Sequence, residues 1–112
     1  MSKILVDNVE KNHFEKQPWE KLSITVDFTE DLGAGSVLTY AVNATDSSGT
    51  SVDTTVLAGY SESAGVVTVG VKGGTSGMIY TITSKVTSDQ TLPDATNPRF
   101  EADVHMRVAD QT

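Results

Sequence analysis

The segment FEADVHMRV, residues 100–108, decides the fold class, because its side chains change character at every step. Phe100, Ala102, Val104, Met106 and Val108 are apolar, and Glu101, Asp103, His105 and Arg107 between them are polar. Successive side chains of a strand point to opposite faces, whereas a helix would scatter these apolar groups around its circumference. The segment predicts a strand with one face in a core and the other in water. The same period recurs toward the N-terminus. Leu22, Ile24, Val26 and Phe28 alternate with Ser23, Thr25 and Asp27, and Leu38, Tyr40, Val42 and Ala44 alternate with Thr39, Ala41 and Asn43. Val67, Val69 and Val71 alternate with Thr68, Gly70 and Lys72, and Tyr80, Ile82 and Val86 face away from Thr81, Thr83, Lys85 and Thr87. A weaker stretch at 52–57 completes the set, and turn-rich segments at 30–36, 45–51, 59–65, 73–77 and 89–98 separate the strands.

Composition agrees. The chain has 14 Val and 15 Thr, branched at the β-carbon and at ease on a pleated strand, against 6 Leu and 8 Ala. Its 112 residues make one ordinary domain. Short strands at regular spacing predict an all-β fold, an antiparallel sandwich of about seven strands. Ile4-Leu5-Val6 or His13-Phe14 supplies the extra strand. The expected organisation is an N-terminal arm or edge strand over 1–13, a sandwich over 14–109 and a tail over 110–112. The arm is expected to order on assembly, by pairing with a neighbour's free edge.

Several function classes are disfavoured. The chain contains no Cys, so it has no disulfide framework, thiol nucleophile or thiolate metal site. A net charge of −7 opposes binding to nucleic-acid backbones and anionic membranes. The sequence predicts no membrane span and no secretory signal, which leaves the Asn43-Ala44-Thr45 sequon without meaning. His13 and His105 stand 92 positions apart, and Gly74-Thr75-Ser76-Gly77 lacks the spacing of a nucleophile elbow. Glu30-Asp31 lies in a turn with no apolar pocket to raise a carboxyl pKa. Asp46-Ser47-Ser48-Gly49 lacks the further carboxylates of a calcium loop, and no Lys-Ser/Thr pair or helix follows the glycines at 73–77 to make a phosphate cradle. The expectation is no catalytic residue, no cofactor and no metal.

Two aromatics carry structural readings. Tyr80 opens a long strand just after the turn of Gly73, Gly74 and Gly77, which matches the tyrosine corner of immunoglobulin-like sandwiches. With the strand ladder, this points to immunoglobulin or fibronectin-III topology. Trp19 follows Pro18, and reads as a plug for the open end of the sandwich ahead of an exposed anchor for a partner. Charge is uneven: residues 22–71 hold Asp27, Glu30, Asp31, Asp46, Asp53 and Glu62 and no basic residue. These acids read first as a solvated surface, and second as a patch contacting a basic partner.

From Phe14 to Val108 the chain resembles the small immunoglobulin-like structural proteins of tailed phages and prophages, of the head–tail or fibre–tail adaptor type. The resemblance is carried by Lys16-Gln17-Pro18 ahead of a strand ending in Phe28, by Gly73-Gly74-Thr75-Ser76-Gly77-Met78-Ile79-Tyr80-Thr81-Ile82-Thr83, and by the alternating closing strand. It departs at Phe28, where the family usually has another aromatic, often Trp, and in its longer 89–99 loop. The resemblance implies a non-enzymatic virion component. Such a protein would contact other virion proteins, with a homo-oligomer or ring on assembly. The alternative is a cell-surface or carbohydrate-binding module of the same fold.

Overall fold

The computed structural model describes residues 3–6 and 9–109, which form nine strands and two single-turn helices. In chain order these are β1 (Lys3–Val6), β2 (Val9–Glu10), β3 (His13–Lys16), β4 (Leu22–Asp27), α1 (Thr29–Leu32), β5 (Val37–Thr45), α2 (Asp53–Val56), β6 (Leu57–Ser63), β7 (Val66–Val71), β8 (Ile79–Ser88) and β9 (Arg99–Val108). A five-stranded sheet of order β2-β1-β4-β7-β6 faces a four-stranded sheet of order β3-β9-β8-β5. The fold is all-β.

The core lies between the sheets and is made by the period-two positions. Ile24 and Val26 of β4 and Val67, Val69 and Val71 of β7 are buried against Ile82 and Val86 of β8 and Val104, Met106 and Val108 of β9. Phe28 and Leu32 close one end, while Val56 and Leu57 are buried near the other. Each of these side chains gains roughly 1.5–3 kcal/mol on leaving water.

The structure corrects several expectations. The four-stranded sheet is mixed, because β3 runs parallel to β9. The chain crosses between sheets after β2 and so enters beside β9 in the same direction. Residues 3–6 do not wait for a neighbour's edge, since β1 pairs with β4 of the same chain and buries Val6. The weak strand expected at 52–57 is α2 followed by the start of β6. Val52 and Val56 are four apart, one helical turn, and the Val56 N–H donates to the Val52 carbonyl at 3.1 Å. The expected turn at 59–65 is mostly strand β6. Its side chains beyond Leu57 are largely exposed, so backbone pairing with β7 holds it rather than a buried face. Leu38 and Tyr40, expected inside, are 58% and 40% exposed. A register shift between Val37 and Thr39 and a position at the sheet edge let this half of β5 overhang the core. The expected tail at 110–112 lies outside the described residues.

Candidate functional site

The two ends of the sandwich differ in chemistry. At one end, the turn before β8 is tied to β3 and β9. Gly73 and Gly74 hold φ of +55° and +94°, values open to glycine, and Gly77 holds +91°. At Gly74 a Cβ would also stand 2.7 Å from Val108 Cγ2 and 3.1 Å from Tyr80 Cε2. Tyr80 is buried, and its hydroxyl accepts a 2.8 Å hydrogen bond from the Thr75 N–H. Phe28, at the opposite end, is fully buried.

In the sequence Lys16 stands only as the first residue of the Lys16-Gln17-Pro18 segment, with no role given to its side chain. It is 2% exposed, and its ammonium donates to the carbonyls of Gly73 at 2.6 Å, Gln17 at 2.8 Å and Pro18 at 3.4 Å. Lys16 therefore pins the 73–77 turn to the end of β3. Burial pushes its pKa below the ordinary lysine value, and the Glu20 carboxylate opposes that shift. The signal was available, because Lys16 falls two positions after buried Phe14 on an alternating strand.

Trp19, in the next turn, is 94% exposed. It plugs nothing. The Gln17–Glu20 turn is closed by its own bonds, with the Gln17 N–H donating to Glu20 Oε1 at 2.6 Å and the Glu20 N–H to the Gln17 carbonyl at 3.1 Å. These bonds hold the indole outside the sandwich. An indole so exposed loses apolar contact that a partner surface can restore.

The six acids do not form one patch. Asp27, Glu30, Asp31 and Glu62 gather at the α1 end, where Asp27 of β4 stands opposite Val66 of β7. Asp46 and Asp53 follow the far end of β5. Several fasten turns: Asp27 accepts from the Thr29 N–H and hydroxyl, Asp46 from the Ser48 and Thr50 N–H groups, and Glu62 from the Gly65 N–H. Asp53 accepts from the Ala44 N–H at 2.6 Å, which covers part of the β5 edge.

Register brings together a pair that linear distance concealed. His13 and His105 stand side by side on the β3–β9 ladder, both exposed on an open sheet face. Their Nδ1 atoms lie 3.2 Å from Asn12 Oδ1 and Thr81 Oγ1 respectively. Among the described residues, no group of three or more His, Asp or Glu is arranged to hold a metal ion. No described helix is long and apolar enough to cross a membrane.

On the flank between the sheets, the edge strands β5 and β6 face each other across a seam. Leu38, Tyr40 and Tyr60 are exposed there, and the Tyr40 and Tyr60 rings meet edge to face at 6.0 Å and 83°.

Residues 16–95 match the family model described as "Podophage GP4 fiber-tail adaptor protein gp77". No curated protein and no solved structure matched the chain.

Proposed function

This chain belongs to the podophage fibre–tail adaptor family, and from that premise we propose that it is a non-enzymatic, immunoglobulin-like spacer of a phage virion, joining fibre and tail through protein–protein contacts. The family is a structural one, an adaptor rather than a class of enzyme, and an adaptor works by contact with other tail proteins. The match over residues 16–95 is the observation that carries the reading.

Strand order supports the immunoglobulin-like part. β1-β4-β7-β6 opposite β9-β8-β5 corresponds to the ABED and GFC sheets of a constant-type domain, with Tyr80 at the start of the F strand. An elongated body of 53 × 28 × 19 Å suits a spacer whose two ends meet different neighbours. Trp19 is our first assignment for partner contact, with Glu30, Asp31 and Glu62 at the far end for a basic surface. A ring of copies at the tail axis would follow virion symmetry. The carbohydrate-binding alternative is disfavoured, because sugar platforms need coplanar exposed rings and Tyr40 and Tyr60 stand nearly perpendicular.

The test is reconstitution. Tails assembled without this protein should lack fibres by electron microscopy and regain them when the purified chain is added. Fibres attaching normally without it would overturn the reading.

A further inference from the structure

We propose that the free edge of β5 receives one extended strand of a partner protein, carrying Lys or Arg among alternating apolar residues. The inference rests on the adaptor reading and names the chemistry of one contact. β5 pairs on one side with β8 and lies at the edge of its sheet. Which backbone groups face outward follows from Ala44, whose N–H donates to Asp53 and whose carbonyl accepts from the Val52 N–H. In an antiparallel ladder the outward groups recur at every second residue, so those of Tyr40 and Val42 also point away from β8. Asp53 covers the edge at Ala44, and the register shift at Val37–Thr39 bounds it at the other end. Between these limits lies room for a strand of about five residues, near 17 Å.

Natural edge strands are commonly guarded by charge or proline. The nine residues of β5 contain neither. A constant-type sandwich leaves this strand as an edge, whereas variable-type domains pair a further strand there, so an added strand fits the geometry of the sheet.

Charge selects the occupant. Two hollows open on the seam beside β5. One, of about 330 Å³, is lined by Val42, Asp53, Leu57 and Tyr60 among others. The other, of about 400 Å³, is lined by Ser36, Val37, Glu62 and Ala64 among others. Each contains a carboxylate and neither is lined by a base. Lys85, opposite Ala41 on β8, lies 3.7 Å from Glu101 of β9. A second copy would bring carboxylates to carboxylates, whereas a basic strand brings its charges to them and its apolar side chains to Leu57 and Tyr60.

The test uses the full chain and two capped heptapeptides, Lys-Thr-Val-Thr-Val-Thr-Lys and its counterpart with Glu at both ends, followed by backbone amide shifts. The lysine peptide should shift the amides of residues 38–42 and 60, and bind about tenfold more tightly than the glutamate peptide at low salt. Tyr40→Pro removes an outward N–H without touching the β8 ladder and should abolish the shifts. Tyr40→Lys, which imposes no backbone constraint, should weaken them, and Tyr40→Phe should retain them. No shift at millimolar peptide, shifts confined elsewhere, or equal binding of both peptides would overturn the proposal. So would concentration-dependent dimerisation lost in Tyr40→Pro, which would make a second copy the occupant. Missing peptide binding with normal fibre attachment strikes this proposal alone, and missing fibre rescue with intact peptide binding strikes the adaptor reading alone.

Discussion

Ser84 lies near the middle of β8, on a buried face that reads Tyr80, Ile82, Ser84, Val86 and Ser88. It is 1% exposed, and its cross-strand neighbours are Val42 of β5 and Ala102 of β9. Its Oγ has no hydrogen-bond partner among the described residues. A hydroxyl buried this way costs about 1–3 kcal/mol, and Ser84→Ala removes that cost. The space left is that of one oxygen, and roughly 10 Å³ at about 24 cal/mol per Å³ returns only ~0.2 kcal/mol. The variant is expected to be more stable by about 1–2 kcal/mol, with Tm raised by roughly 4 °C per kcal/mol in a domain of this size. Urea denaturation with an unchanged slope, alongside calorimetry, reads the effect directly. Ser88 supplies the control. It is also fully buried, but its Oγ accepts from the Gln90 N–H at 3.1 Å, so Ser88→Ala should destabilise. A lower Tm for Ser84→Ala would mean that the hydroxyl is bonded, and the reasoning would fail.

Tyr80→Phe keeps the ring and loses the bond from Thr75, so denaturation should show a loss of about 1 kcal/mol, and an unchanged midpoint would remove the corner's energetic role. Trp19→Ala should leave Tm within about 1 °C, because the side chain is 94% exposed, while fibre attachment in the reconstitution falls; normal attachment would withdraw the residue from the contact. Lys16→Met tests the buried ammonium through pH. The folded-state pKa lies below the ordinary 10.5, so between those two values the unfolded chain holds more protons and stability rises with pH. The stability of the native protein relative to Lys16→Met should therefore be flat at neutral pH and climb toward 10.5. A relative stability that falls across that window would reverse the assigned cause.

Most of the strand ladder was legible because alternation is a local property. The series ending in Phe28, Val71, Val86 and Val108 place their apolar groups on one face whatever pairs beside them. Legibility stopped at the edges. Tyr40 satisfies the alternation and is still 40% exposed, since none of the described strands lies beyond β5 to cover it. The residues of β6 after Leu57 fail the alternation and are still strand, since hydrogen bonds to β7 hold an edge with little burial.

What the linear chain determined by itself was the all-β class and the core faces of β4, β7, β8 and β9. Each depends on neighbours within a few residues. Tertiary structure alone decided that Lys16 would bond the Gly73 carbonyl 57 residues away, that His13 would stand beside His105, and that Trp19 would face solvent. Those outcomes depend on which strands pair, in which direction and at which register, and a two-residue period is blind to all three.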